Sequence, residues 1–336
     1  MSGRVGLDAR LTRQMSAGMQ AYALEVAARL PRVAPEYDYT AFTRGRNFGW
    51  DEQVRLPRAI RDARVDLVHF LALYVPVIVP KRFIVTIHDL IHLHFPEQFK
   101  AKVGPYYRTV VRFACARAAR VITDDERTVD DLVSLLGVRR EKIRVVPLGV
   151  AEEFFAPAVP YAGPHPYVLY VGNHRRHKNL ATLFSAWSSM RSAEPLDLYL
   201  TGENDFTEAL PLRSDGGQVR LLGNAPDAQL VAYYAGARAL LQPSLREGFG
   251  LPVLEAMASG CPVIVSEEAV AGAVRDWVQT YPAADAEALR TKLEAMLGDG
   301  ERREAWTNRG RDAARRLSWN YCARATADVY REVLEK

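Results

Sequence analysis

The sequence has few cysteines and no long apolar run. Its three cysteines, Cys115, Cys261 and Cys322, are far apart, and no CxxC pair or Cys/His metal spacing accompanies them. Neither a disulfide framework nor a zinc site is therefore expected. The longest apolar run, residues 71–80, contains Pro76. It is shorter than the roughly 20 residues that a membrane-spanning helix needs.

Two further signals are absent. The N-terminus has no apolar core between a basic start and a cleavage site, so no signal peptide is expected and the sequence predicts a cytoplasmic protein. No G-x-G-x-x-G pattern follows the first predicted strand, which disfavours a dinucleotide-dependent dehydrogenase. Disordered and fibrous classes are also disfavoured, because 49% apolar and 25% charged residues are ordinary values for a globular protein.

The length of 336 residues, at about 150 residues per domain, predicts two domains. The net charge of +4 is unevenly distributed between the two halves of the chain. Residues 1–150 hold 24 Lys and Arg against 16 Asp and Glu (+8), and residues 151–336 hold 20 against 24 (−4). The basic half favours an anionic partner, although charge alone does not separate a lipid surface from nucleic acid.

Short β-branched runs alternate with segments of helical period along the whole chain, which predicts an α/β protein with parallel sheets covered by helices. Residues 147–166 contain five prolines and no periodicity, so they are predicted to link a domain of residues 1–150 to one of residues 151–319. Predicted strands are 4–9, 37–42, 67–70, 83–87, 121–123, 143–146, 167–171, 196–201, 219–222, 239–242 and 263–266. Predicted helices include 18–30, 105–119, 130–136 and 322–334.

The strongest local signal lies in residues 240–266. A glycine-rich turn leads from an apolar strand into a helix that is predicted to start near Pro252 and to end before Gly260. The start of such a helix offers free backbone N–H groups and a positive dipole end, which favour a bound phosphate. Glu247 and Glu255 then suit hydrogen bonds from sugar or ribose hydroxyls. The alternative is that Glu255 only complements the helix dipole and that Glu247 is a solvated loop charge.

The stretch EGFGLPVLE, residues 247–255, resembles the E-x7-E motif of retaining glycosyltransferases with the GT-B fold. Other segments resemble glycosyltransferase family 4 and follow one another in the family's order. These segments are residues 17–30, 85–99, 141–150, 170–187, 219–240 and 317–336. The resemblance implies two doubly wound Rossmann-like domains that face each other across a cleft. The N-terminal domain would bind the acceptor, the C-terminal domain would bind the nucleotide sugar, and the final helix, about 320–336, would pack back on the first domain.

The resemblance also implies roles for individual residues in the donor site. Glu247 would lie beside the donor sugar, and Glu255 would bind the ribose. Lys178 would contact the pyrophosphate, where its charge offsets the negative charge of the leaving nucleotide. The other donor-binding residues that it implies are Gly18, Asn173, Asn224, Gly248, Phe249, Gly250 and Leu251.

His88 follows the predicted strand 83–87 and completes the predicted catalytic set with Glu247 and Lys178. From the residues alone, a His at a strand end is more often a structural hydrogen bonder. The resemblance instead implies that it lies under the donor sugar and orients it. No metal or other cofactor is expected, because the resemblance implies metal-independent chemistry and the chain has no D-x-D motif. No dedicated base is evident, which fits a front-face mechanism in which the leaving phosphate takes the acceptor's proton.

The expected reaction is transfer of a hexose from a nucleoside diphosphate sugar to a saccharide or lipid-linked acceptor. GDP-mannose is the favoured donor, and a UDP-sugar is next. The alternatives are an epimerase or hydrolase of sugar nucleotides with the same fold, and a catalytically silent nucleotide-sugar binder. Two positions depart from the family pattern: Asn173 stands where many relatives have Arg, and Asp125 stands where relatives usually have Ser.

Residues 100–120 interleave cations with Tyr106, Tyr107 and Phe113. One interpretation of this stretch is an ordinary amphipathic helix. A second interpretation is a membrane-facing surface, which the positive charge of the N-terminal half favours. We therefore expect a cytoplasmic protein with peripheral contact to the inner face of the membrane through its basic N-terminal domain. Nucleic acid is not expected as the anion, because no recognition motif accompanies the charge.

Overall fold

The chain divides into two compact units, which are described separately below. The first unit comprises residues 1–149 together with residues 319–336, and the second comprises residues 150–318. The computed structural model describes residues 3–10, 17–47, 49–207 and 209–335.

The first unit is built on a sheet whose six described strands are all parallel. They are β1 (Arg4–Asp8), β2 (Asp38–Phe42), β3 (Leu67–Phe70), β4 (Arg82–Thr86), β5 (Arg120–Thr123) and β6 (Ile143–Val145). Their order is β2-β1-β3-β4-β5-β6, so the winding direction changes between β1 and β3. All four residues of β3 are buried, as expected for a strand covered on both faces.

The described helices of the first unit that precede the second unit are α1 (Ala17–Val33), α2 (Leu56–Asp62), α3 (Ile91–His94), α4 (Val103–Tyr106), α5 (Arg112–Arg117) and α6 (Glu126–Leu136). In α1 the buried residues recur with helical spacing, which is why this segment folds as an amphipathic helix. The predicted helix 105–119 lies in a helical stretch of residues 103–117 whose middle, Tyr107–Val111, is a π turn. Val111 and Ala114 are buried, whereas Phe113 is half exposed.

The second unit has its own sheet, again with six parallel strands among the described residues. They are β7 (Tyr167–Tyr170), β8 (Asp197–Thr201), β9 (Val219–Gly223), β10 (Leu240–Gln242), β11 (Val263–Ser266) and β12 (Gln279–Tyr281). Their order is β12-β11-β10-β7-β8-β9, so the winding direction changes between β7 and β10. The predicted α/β class is confirmed. The sequence does not predict β12, because its residues, Gln-Thr-Tyr, do not form an apolar β-branched run.

The described helices of the second unit are α7 (Leu180–Ser189), α8 (Asp227–Gly236), α9 (Leu251–Ala258), α10 (Ala286–Gly298) and α11 (Gly300–Ala314). Trp187 of α7 is fully buried in the core of this unit, and its indole N–H donates to the carbonyl oxygen of Leu196 at 3.1 Å. Because both faces of the sheet are covered by helices, the loops at the ends of the strands are the parts available for binding.

The last helix, α12 (Trp319–Leu334), belongs to the first unit and packs against α1. The hydroxyl of Tyr330 lies 2.6 Å from Nδ1 of the buried His69 in β3. Glu332 forms ion pairs with Arg120 and Arg144. The hydrogen bond from Arg120 is the main reason that the pKa of Glu332 is lowered to about 2.

We predict that Glu332→Gln lowers the free energy of unfolding at pH 7 by about 1 kcal/mol, a figure reduced for the partial exposure of the pair. The folded-state pKa lies below the ordinary value of 4.5, so the stabilisation is present above pH 4.5 and is lost as the pH falls toward 2. Urea unfolding of the wild type and of Glu332→Gln at pH 7, 5 and 4 measures the difference in their free energies of unfolding. The exposed Glu335 offers the matched control, and Glu335→Gln is expected to change stability by less than about 0.5 kcal/mol. Equal effects of the two substitutions would contradict the prediction.

Candidate active site

Two loops of the second unit meet where the winding direction of its sheet changes. β7 and β10 are neighbours and pair through Leu169 and Leu240. Since both strands end at the same edge of the sheet, the loops that follow them leave side by side. The backbone N–H of Leu245 donates to the carbonyl oxygen of His177 at 2.8 Å and joins the two loops directly.

Lys178 and Glu247 form a nearly buried ion pair between these loops. Lys178 Nζ lies 2.6 Å from Oε1 of Glu247, and the two side chains are only 12% and 10% exposed. The same carboxylate oxygen accepts hydrogen bonds from Ser244 Oγ at 2.6 Å and Gln242 Nε2 at 3.0 Å. Burial acts to raise the pKa of Glu247, but Lys178 and these donors together hold it below its ordinary value. Glu247 is therefore a carboxylate that is fixed in place beside a cation.

Asn179 fixes the loop that carries Lys178. Its backbone has φ +55°, in the left-handed region that Asn tolerates better than most residues. Its amide Nδ2 donates to the carbonyl oxygens of Pro243, at 3.1 Å, and Ala283, at 2.7 Å. The loops after β7, β10 and β12 are thereby tied together, and Lys178 is directed toward Glu247.

Helix α9 begins immediately after the glycine-rich turn. Gly250 is its N-cap, and its backbone has φ +86°, a conformation that residues with a Cβ rarely adopt. Pro252 occupies the first turn of the helix. Phe249 is 4% exposed and anchors the turn in the core. Leu251 is the first helical residue, so the backbone N–H groups at the start of α9 follow directly on the turn that holds Glu247. This arrangement is suited to bind an anion.

Glu255, in the second turn of α9, has the opposite electrostatic setting. Its Oε2 accepts a hydrogen bond from the hydroxyl of Tyr234 at 2.9 Å, and no cation is among its described partners. Burial, together with repulsion from Asp227 and Glu153, raises the pKa of Glu255 to about 7. The site therefore holds one carboxylate that stays ionised and one that titrates near neutrality.

The other residues predicted for the donor site are more exposed. Asn173 is exposed, and its side-chain Oδ1 accepts a hydrogen bond from the N–H of Arg175 at 3.2 Å. Asn224 is also exposed and follows β9, which is the edge strand of the sheet. Gly248 and Gly250 lie in the turn before α9. Gly18 belongs to the first unit, where it is the second residue of α1.

His88 lies in the first unit and pairs with Asp124, which the sequence analysis did not single out. The two residues follow the neighbouring strands β4 and β5, whose register pairs Thr86 with Ile122, two residues before each of them. His88 Nδ1 lies 2.7 Å from Oδ2 of Asp124, and both side chains are buried. Burial acts to lower the pKa of His88, but the charge and hydrogen bond of Asp124 raise it above its ordinary value.

The nearby histidines have separate partners. His92 Nδ1 lies 3.0 Å from the hydroxyl of Tyr107, and His94 Nε2 lies 2.9 Å from Oδ1 of Asp131. Within the described ranges, no group of three or more His, Cys, Asp and Glu side chains is arranged to hold a metal ion. No helix in the described part of the chain is both long enough and apolar enough to span a bilayer.

Asp125, the residue that departs from the family's usual serine, caps a helix. Its side chain accepts a hydrogen bond from the backbone N–H of Arg127 at 3.1 Å, so a free N–H group in the first turn of α6 gains a partner. The adjacent Asp124 points to His88 instead. The two neighbouring carboxylates therefore have different structural tasks.

Two family models match the chain and together extend over residues 16–313. The model described as Glycosyltransferase Family 4 matches residues 16–154, and the model described as Glycosyl transferases group 1 matches residues 152–313. The chain belongs to glycosyltransferase family 4. Its members are retaining hexosyltransferases, so the predicted family and enzyme class are confirmed.

Several curated relatives are mannosyltransferases. O-antigen chain mannosyltransferase B of Escherichia coli is 28% identical over 81% of this chain and 76% of its own. O-antigen chain mannosyltransferase RfbU of Salmonella typhimurium is 30% identical over 54% of this chain and 51% of its own. Phosphatidyl-myo-inositol mannosyltransferase of Mycobacterium leprae is 31% identical over 56% of this chain and 53% of its own. The chain spans about half the length of the last two relatives.

Solved structures match over nearly the whole chain. Anabaena HepE, crystallised with UDP and glucose, has a TM-score of 0.72 at 16% identity and covers 99% of this chain and 100% of its own. Sucrose-phosphate synthase from Thermosynechococcus elongatus has a TM-score of 0.72 at 19% identity, with 99% of both chains covered. At these identities the matches establish the fold alone, and the predicted GT-B fold is confirmed.

We predict that Lys178→Met lowers the free energy of unfolding at pH 7 by about 3 kcal/mol, because it leaves the buried carboxylate of Glu247 without its cation. Urea unfolding measures the loss. The double variant Lys178→Met/Glu247→Gln removes both charges and is expected to recover most of it. Arg176→Met, which removes an exposed cation two residues away, serves as the control and leaves stability within about 0.5 kcal/mol. A double variant no more stable than the single one would contradict the prediction.

Proposed function

We propose that this enzyme transfers a hexose, with retention of configuration, from a nucleoside diphosphate sugar to a saccharide or lipid-linked acceptor. The observation that carries the proposal is the buried Lys178–Glu247 pair beside the N-terminus of α9. GDP-mannose is the favoured donor, since the relatives named above include mannosyltransferases. A UDP-sugar is next, in keeping with the complex of HepE with UDP and glucose.

The donor would be held mainly by the second unit. Its pyrophosphate would meet the ammonium of Lys178 and the backbone N–H groups of Gly250 and Leu251, where a positive charge and the helix dipole favour an anion. The ribose hydroxyls would donate to the carboxylate of Glu255. Glu247 would lie beside the sugar, along the backbone of Gly248 and Phe249. The base would lie near Asn224, and Asn173 would line the entrance to the phosphate site.

The first unit would bind the acceptor, and His88 and Gly18 are its proposed substrate-binding residues. The bond between C1 of the sugar and the phosphate oxygen breaks as a new C1–O bond to the acceptor forms on the same face. The proton of the acceptor hydroxyl passes to the departing phosphate oxygen. Lys178 offsets the negative charge that develops there, and the fixed carboxylate of Glu247 stabilises the positive charge at C1.

A donor panel tests this function. We predict that GDP-mannose raises the midpoint of thermal unfolding most among GDP-mannose, UDP-glucose, UDP-N-acetylglucosamine and ADP-glucose. A ligand at 100 times its Kd stabilises the folded state by about 2.7 kcal/mol. Mannose transfer to octyl α-mannoside, followed by mass spectrometry, then checks turnover, and NMR of the product checks that the configuration is retained.

Two variants and the pH dependence serve as controls for the donor panel. In Lys178→Met we expect GDP-mannose no longer to raise the midpoint of thermal unfolding, whereas in Arg176→Met it raises the midpoint as in the wild type. Donor binding tightens from pH 6 to pH 8, because Glu255 has a pKa of about 7 and must be ionised to accept from the ribose. Glu255→Gln abolishes this pH dependence. If no donor shifts the midpoint, the proposal is wrong, and release of free sugar without a transfer product would indicate a hydrolase instead.

We further propose that the first unit contacts an anionic membrane through a patch formed by Val77, Ile78, Phe113 and Arg117. Ile78 is 71% exposed, and Val77 and Phe113 are each 49% exposed. Arg117 links them, because its Nη1 donates to the carbonyl oxygen of Val77 at 2.6 Å and its guanidinium lies 5.2 Å from the centre of the Phe113 ring. Apolar side chains beside exposed cations suit insertion between anionic headgroups.

We predict that Ile78→Ser/Phe113→Ser lowers binding to vesicles of phosphatidylcholine with phosphatidylglycerol several-fold in a sedimentation assay. The reason is that apolar area that would enter the bilayer is lost. Leu212 of the second unit is 82% exposed, so Leu212→Ser is the matched control and is expected to bind as the wild type does. Equal losses in both variants, or no binding of the wild type at low salt, would refute the membrane patch.

A further inference from the structure

The His88–Asp124 pair contains two buried polar atoms that lack hydrogen-bond partners. Among the described residues, neither Nε2 of His88 nor Oδ1 of Asp124 has one. His88 is 8% exposed and Asp124 is 2% exposed. Buried polar atoms are nearly always paired, so adjacent exceptions call for a functional explanation. The unused ring nitrogen is the atom that a ligand could satisfy.

His69, on the neighbouring strand β3, provides the comparison. Both of its ring nitrogens have partners, with Nδ1 at 2.6 Å from the hydroxyl of Tyr330 and Nε2 at 2.8 Å from Oγ1 of Thr86. Burial and repulsion from His88 lower the pKa of His69 to about 3, so it stays neutral. His69 therefore has a structural role only. His88 differs, because Nδ1 is held by a carboxylate, whereas Nε2 makes no hydrogen bond of good geometry in the described part of the chain and the ring has only the backbone carbonyl of Leu71 there as a further polar contact.

We propose that Asp124 is a positioning residue, which accepts a hydrogen bond from the N–H at Nδ1 of His88 and so presents Nε2 as a hydrogen-bond acceptor to a substrate hydroxyl. In a neutral imidazole only one nitrogen carries the proton, and the partner of that nitrogen selects the tautomer. Tyr22 restrains the ring from another side, with its own ring edge-on to His88 at a centroid distance of 4.6 Å. This inference rests on the proposed role of His88 in the active site.

The charges around His88 make this role depend on pH. Asp124 faces it from the loop after β5, Asp89 follows it in its own loop, His69 faces it from β3, and Tyr22 packs on it from α1. The thiol of Cys322 on α12 also lies near Asp124. The two carboxylates and the backbone carbonyl of Leu71 favour the protonated ring. Nε2 then becomes an acceptor only above the pKa of His88, and activity falls on the acid side.

The first experiment is NMR of the protein with ¹⁵N-labelled histidine, which needs no substrate. We expect the neutral ring of His88 to carry its proton on Nδ1 and to titrate above 6.5, the ordinary value for histidine. In Asp124→Asn the pKa of His88 falls, because the negative charge is gone. A neutral wild-type ring with its proton on Nε2 would overturn the proposal even if the variant did not fold.

The second experiment measures mannose transfer from GDP-mannose to octyl α-mannoside across pH. In Asp124→Asn we expect kcat to fall tenfold or more, the Kd of GDP-mannose to change less than twofold, and the acid limb to move to lower pH. Asp124→Glu restores part of kcat. Asp131→Asn breaks the similar pair of Asp131, on α6, with His94, on α3, and it keeps the wild-type profile. The inference is refuted if Asp124→Asn has the kcat and the pH profile of the wild type, or if Asp124→Asn and Asp131→Asn lose kcat equally.

His88→Gln separates this inference from the proposed function. If His88→Gln leaves transfer unchanged, the role of His88 in the active site is wrong, whatever NMR finds for its tautomer. If His88→Gln abolishes transfer and Asp124→Asn does not reduce it, His88 acts in the reaction without help from Asp124, and only the positioning role is wrong.

Discussion

Both units depend on one geometric constraint, which is that all strands of a parallel sheet end at the same edge. The β-branched strands bury both faces under helices, so the loops beyond this edge are the main place where polar side chains gather around a ligand. Lys178 and Glu247 lie far apart in the chain, yet they meet because β7 and β10 are neighbours. His88 and Asp124 meet because β4 and β5 are neighbours. In each case the hydrogen-bonding register of the sheet brings the two side chains together.

The second unit also shows how similar residues acquire different properties. Glu247 and Glu255 are both buried, and burial acts to raise the pKa of each. Glu247 has an ammonium, a hydroxyl and an amide around one oxygen, so its charge is stabilised. Glu255 has the phenol of Tyr234 and two acidic neighbours, so its negative charge is not stabilised by a cation. The difference comes from the partners that the sheet and α8 bring to each carboxylate.

The sequence was sufficient for features that lie within one local pattern. Glu247 and the start of α9 belong to a single strand, turn and helix, and the family motif marks them. The sequence does not identify Gln242 and Ser244, because a residue pattern does not show that their side chains turn toward Glu247. It does not identify Asp124, because the contact with His88 depends on which strand lies beside β4. Asp124 stood next to Asp125, which was flagged as unusual, but nothing local distinguishes the helix cap from the partner of His88. The sequence does not predict β12, because Gln279–Tyr281 is not an apolar run.

Helix α12 has a consequence for how the protein is made. The first unit contains residues from both ends of the chain, and the second unit is one continuous segment between them. During synthesis, the second unit therefore has all of its residues before the first unit does. Until α12 emerges, His69 lacks Tyr330 and the apolar face of α1 lacks its cover. The final residues thus complete the first unit, and a chain interrupted before α12 would leave that unit with an open core.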